Sequence, residues 1–169
     1  IAAVDWHRDR QWSVVRYRSA ISDPPSKLML SAISRMVSVR SKRRERTTGK
    51  LMPVPNGWRM ATKKAFSPMF DRAGSLEVSD GWFDLIVAMA DRLWSFEGDH
   101  RPRFDDIKSK YAGLRAYHGS DNAIAEAIVE TYERLSEYVC ETCGAPGRIR
   151  GRGWLVTACD QHAPAEKTE

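Results

Sequence analysis

The sequence predicts an α+β fold: a helical body with a small sheet, preceded by a basic N-terminal arm and followed by a short ribbon rich in cysteine and glycine. Three observations predict it. Charge divides the chain, because Ile1 to Lys64 holds 15 Lys and Arg against 4 Asp and Glu, a net of about +11, whereas Ala65 to Glu169 holds 12 against 18, about −6. Apolar residues recur at three-to-four-residue spacing in several places, as they do on helices with one buried face. All three cysteines lie beyond residue 139, in two short clusters separated by turn-forming residues.

The elements follow in order. Trp6 to Ile21 is loosely helical, with Trp6, Trp12, Val14, Val15, Tyr17 and Ile21 set among arginines. Asp23-Pro24-Pro25-Ser26 breaks it, since proline has no amide to donate and restricts the residue before it. Lys27 to Val39 predicts a helix, with Leu28, Met29, Ile33, Met36 and Val37 as its stripe. Ser41 to Lys50 has no apolar residue and Pro53 to Gly57 is turn chemistry, so this stretch reads as a linker. The body is expected to start between Trp58 and Ala65.

Asp80 is placed to cap a helix whose apolar face is Trp82, Leu85, Ile86, Met89, Leu93 and Phe96, with Gly98 ending it. Phe104 to His118 predicts two short strands broken by Gly113, with a helical start at Asp105 as the alternative. Ser120 or Asp121 then caps a helix carrying Ile124, Ile128, Tyr132, Leu135 and Val139. The expected division is 1–64 as a basic, partly helical arm and linker, 65–139 as the body, 140–163 as the ribbon and 164–169 as a tail.

Composition narrows the classes. The longest apolar run, Leu85 to Ala90, falls far short of the roughly 20 residues of a membrane helix. No leader pattern opens the sequence, which starts at Ile1, and an odd number of cysteines cannot all pair in internal disulfides. A soluble protein of the reducing cytoplasm is expected, with no membrane partner.

The cysteines carry the most specific signal. Cys140-Glu-Thr-Cys143-Gly144 forms one pair, Cys159-Asp-Gln-His162 the other, and Pro146-Gly147 and Gly151-Arg-Gly153 between them supply hairpin turns. Buried free thiols have no reason to fall in two such pairs. Four soft or borderline ligands at this spacing point to one tetrahedral Zn²⁺, and a shell closed by four side chains marks a structural ion, because catalytic zinc keeps a position for water.

The run from Cys140 to Gly147, the run from Arg152 to Ala163, Asp80-Gly-Trp-Phe-Asp-Leu-Ile86 and Lys110-Tyr-Ala-Gly-Leu-Arg-Ala-Tyr117 together resemble a family of uncharacterised phage and bacterial proteins. The resemblance covers roughly Ser75 to Ala163 and implies a zinc-binding fold. The family's Lys-Phe-Gly-x-Leu-Arg-Phe-Tyr pattern departs here at Ala116, where an aromatic is usual.

Two basic groups are candidate nucleic-acid contacts. Lys42, Arg43, Arg44 and Arg46 form the densest positive cluster, and such a cluster attracts polyanions by releasing condensed counterions. Arg148, Arg150 and Arg152 alternate on the ribbon beside Trp154, which offers a stacking plane or fills the ribbon's small core. Asp99, His100, Asp105, Asp106 and His118 suggest a metal-dependent nuclease or plain loop charges. His7 reads as a surface residue, no nucleophile elbow or phosphate loop is present, and Trp82, Trp94 and Phe96 read as ordinary core. The reading taken forward is a non-enzymatic accessory protein that contacts DNA or RNA through arm and ribbon. The alternative is a protein-interaction module, in which the acidic body docks a partner and zinc staples the fold.

Overall fold

The computed structural model describes residues 16–21, 23–74 and 76–165. Most of the expected first helix, with His7, lies outside them, as does the end of the tail; residues 16–20 are helical.

Helix α1 spans Lys27–Lys42, and the Ser26 hydroxyl caps it by accepting from the Met29 amide at 3.1 Å. Its buried face is Met29, Ala32, Ile33, Met36 and Val37. That stripe packs against helices α3, Phe83–Trp94, and α4, Ala123–Ser136, which also pack on each other. Ile33 and Met36 therefore share one core with Leu85, Met89 and Tyr132. The expected separate arm is corrected from Lys27 onward: an amphipathic helix must cover its apolar face, and here the body does so.

The stretch read as a linker is ordered too. Arg44 and Leu51 form an antiparallel bridge, and the Met52 amide donates to the Arg43 carbonyl at 2.9 Å. A short helix α2, Trp58–Ala65, follows. Asp80 does not cap α3: it opens a 3₁₀ turn, Asp80–Trp82, and its carboxylate accepts from the Trp58 indole at 2.8 Å and pairs with Arg59 at 2.9 Å. The indole hydrogen bond, with Arg59 behind it, holds that carboxyl below its ordinary value.

The body's sheet has the order β1-β2-β3, with β1 at Leu76–Glu77, β2 at Phe104–Lys110 and β3 at Gly113–His118. β1 runs parallel to β2, and β2 pairs antiparallel with β3, Lys110 opposite Gly113. The bend falls at Tyr111 and Ala112, one step before Gly113. Along the outer side of β3, Ser136 accepts from the Leu114 amide at 2.8 Å and Glu133 from the Ala116 amide at 2.7 Å. The α4 side chains thus close an edge on which another strand could pair.

Asn122, rather than Ser120 or Asp121, caps α4, with its side-chain oxygen accepting from the Ile124 and Ala125 amides at 3.0 and 3.2 Å. An Asn122→Ala variant is expected to lose about 1 kcal/mol of stability, seen as a fall of about 2–4 °C in thermal midpoint. The ribbon is a hairpin of β4, Arg148–Arg150, and β5, Val156–Ala158.

Candidate metal centre

The first ligand turn begins where α4 ends. Val139 bridges Pro146, the Cys140 amide donates to the Ala145 carbonyl at 2.8 Å, and the Gly144 amide returns to the Cys140 carbonyl at 2.8 Å. Gly144 has φ +71°, a left-handed conformation open to glycine, and a Cβ there would stand 2.6 Å from the Gly81 carbonyl oxygen. The second turn is the 3₁₀ segment Asp160–His162, which follows β5 and Cys159.

The hairpin brings the two turns together. The ligating atoms of Cys140, Cys143, Cys159 and His162 lie within 4.8 Å of one another. Cys143 Sγ is 3.8 Å from Cys159 Sγ, and His162 Nδ1 is 3.7 Å from Cys140 Sγ and 3.2 Å from Cys159 Sγ. Zinc–sulfur and zinc–nitrogen bonds of about 2.3 and 2.0–2.1 Å require tetrahedral edges of about 3.8 and 3.6 Å. The group can hold a metal ion: the 3.8 and 3.7 Å edges match that shell, and the 3.2 Å edge is shorter than it.

The backbone prepares one sulfur, that of Cys140, for charge. Burial opposes ionisation of Cys140, but amides of Cys159, Cys143 and Thr142 face its sulfur and bring the thiol down to about 7. Cys143 goes the other way, pushed up to about 12 by burial and by the neighbouring sulfurs. A metal that binds both as thiolates displaces protons, so affinity falls as pH drops.

Groups far away in sequence tie this knuckle to the body. The Arg40 guanidinium, at the end of α1, donates to the Gly144 carbonyl at 2.9 Å and the Cys143 carbonyl at 3.3 Å. The Tyr17 hydroxyl also donates to the Gly144 carbonyl. From the 3₁₀ turn, the Gly81 amide donates to the Glu141 carbonyl and the Trp82 indole to the Val139 carbonyl, both at 2.8 Å. Beside them, Asp84 is buried against two arginines: Arg43 holds both carboxylate oxygens at 3.0 and 2.7 Å, and Arg40 stands 3.7 Å away.

The basic candidates separate under this geometry. Arg43 is committed to Asp84 and to the Met52 carbonyl, and Arg44 donates to the Gly49 carbonyl, so neither presents a free guanidinium. Arg150 bonds the Ala158 carbonyl and Asp160, which steadies the second ligand turn. The strand ends at Arg150, so Arg152 lies in the loop beyond the alternation. Lys42, Arg46, Arg148 and Arg152 are exposed, and Trp154 is 86 % exposed rather than core.

The nuclease candidates do not converge. The His118 side chain is buried, pairs with Glu126 at 3.2 Å and stacks edge-on with Phe104, and Asp106 pairs with Lys108. Among the described residues, Cys140, Cys143, Cys159 and His162 form the one such ligand cluster.

Sequence reasoning missed Tyr17, Arg40 and Gly81 as supports of the site. Each acts across more than 50 residues, and no local pattern signals a contact of that range. No helix among the described residues is long and apolar enough to cross a membrane. Comparisons with family models, curated proteins and solved structures give no match.

Proposed function

We propose that this chain is a non-enzymatic interaction protein in which Cys140, Cys143, Cys159 and His162 hold one structural Zn²⁺, akin to phage and bacterial accessory proteins. The observation that carries this reading is the set of four protein ligands gathered within 4.8 Å of one another on a knuckle bonded to α1 and the 3₁₀ turn. Four side chains leave no position for substrate. The ion's work is to lock the ribbon to the body and to present the ribbon face to a partner.

Protein rather than nucleic acid is the favoured partner, because Arg43, Arg44 and Arg150 are bonded inside the fold. A nucleic-acid reading stands second, supported by exposed Arg148 and Arg152 on the hairpin that carries Trp154.

Elemental analysis should find about one Zn²⁺ per chain, absent from Cys143→Ser together with native ribbon structure. A fully folded, metal-free wild type would overturn the reading. If duplex DNA binds, replacing Lys42 and Arg46 should flatten the log–log salt slope by at most about two units, at about 0.9 per phosphate. A change near four units on replacing Lys42, Arg43, Arg44 and Arg46 together, with the fold intact, would restore the nucleic-acid reading.

A further inference from the structure

A groove of about 820 Å³ opens where the β2–β3 turn meets the ribbon, beside the metal ligand His162. Its lining includes Tyr111 and Trp154, which are 75 % and 86 % exposed. Two large rings left in water on one groove are unusual for surface that serves only the fold. Tyr111 is held there at a conformational cost: it and Ala112 have φ of 53° and 63°, in a two-residue turn that favours Asn-Gly. Left-handed backbone costs a side-chain-bearing residue about 1–2 kcal/mol. The turn is kept in place because the Thr157 hydroxyl of β5 donates to the Ala112 carbonyl at 2.7 Å. Ribbon and turn are thereby built as one surface.

Charge selects the occupant. Glu77 and Glu141 line the groove with Lys110 and His162, and three thiolates holding one Zn²⁺ would add a net negative charge next to it. A phosphate backbone would meet those carboxylates, while Arg148 and Arg152 are not part of the lining. Glu141 is half-buried, accepts from the Thr157 amide at 3.0 Å and has no ion pair with a described residue. Aromatic faces bind guanidinium and ammonium groups, and Lys110 already lies 5.5 Å from the Tyr111 ring centroid. The volume falls in the range of about 300–1,000 Å³ that holds a whole small ligand, more than one guanidinium needs.

We propose that the groove binds a basic peptide segment of a protein partner, with an arginine side chain laid against Trp154 and Tyr111 and facing Glu141 and Glu77. This rests on the reading of the ribbon face as the recognition surface.

The test is an NMR titration of the zinc-loaded chain. The Trp154 indole N–H resonance is identified by its loss in Trp154→Phe, and the probes are Ac-Gly-Arg-Gly-NH₂, Ac-Gly-Glu-Gly-NH₂ and pentathymidylate. The arginine peptide should shift that resonance and bind about tenfold or more tightly than the glutamate peptide. Trp154→Ala, read at the Tyr111 and Ala112 amides, should weaken it about tenfold, and Glu141→Gln, which keeps the oxygen facing Thr157, several-fold. Equal binding of the glutamate peptide, tighter binding of pentathymidylate, an inert groove or an indifferent Trp154→Ala would each overturn the proposal. Zinc content measured on the same sample separates the two failures: a metal-free folded chain defeats the structural-zinc reading, and a zinc-loaded chain with an inert groove defeats the groove proposal alone.

Discussion

An Asp84→Ala variant is expected to lose about 3–5 kcal/mol of stability, enough to leave a domain of ordinary stability close to unfolding. The carboxylate is almost fully buried, and its Arg43 and Arg40 partners have side chains only 12 % and 17 % exposed. Removing it strands two cations in low dielectric, and the loss of their partner outweighs the few methylene contacts involved. Because Arg40 also holds the Cys143 and Gly144 carbonyls, damage should spread to the metal knuckle. Urea denaturation measures the first effect and zinc retention against a chelator the second. Asp84→Asn keeps the shape and one acceptor oxygen, so it should cost less. A loss below about 1 kcal/mol for Asp84→Ala would show that the arginines find other partners.

Gly81→Ala should damage the metal centre although Gly81 binds no metal. A Cβ at this position would stand 2.3 Å from both the Cys140 and Glu141 carbonyl oxygens, which belong to rigid backbone of the knuckle. Either the 3₁₀ turn moves away and loses its 2.8 Å bonds to Glu141 and Val139, or the knuckle shifts and opens the ligand set. Overpacking costs about 1–3 kcal/mol, and each buried hydrogen bond lost adds about 1–3 more. A destabilisation of about 3–5 kcal/mol is expected, with zinc released at least about tenfold faster to a chelator. Gly74→Ala is the control, since an added Cβ there meets nothing within 4 Å. If both variants melt together with wild type, the close approach at Gly81 is wrong.

What could be read from sequence was local and periodic. The stripes of α1, α3 and α4 follow from spacing along a helix, and the ligand set from two pairs with the same two-residue gap. Contacts that depend on the fold were not legible. Asp80 looks like a helix cap because its neighbours are helical, but the Trp58 indole 22 residues earlier claims its carboxylate. Arg43 sits in what reads as a solvated cluster, and only the packing of α1 on α3 brings it to Asp84, 41 residues away. Trp154 was legible as either stacking plane or core, and its place in the loop between the two ribbon strands leaves it exposed. The placement of Tyr111 follows from a left-handed turn that its sequence, Tyr-Ala, does not advertise.

The bond from Tyr17 to Gly144 spans 127 residues, and so wide a separation is expected to place it late in folding. Contacts between distant segments form late, after the entropy of closing the intervening chain has been met. During synthesis, Met29, Ile33, Met36 and Val37 emerge long before α3 and α4 exist to cover them, so the nascent chain carries an uncovered apolar stripe. The knuckle, in turn, lacks Arg40 and Tyr17 as partners until α1 has docked. A metal held by the four ligands would thus be taken up late, closing a nearly complete fold, and a metal-free chain is expected to keep its helices packed with its ribbon loose.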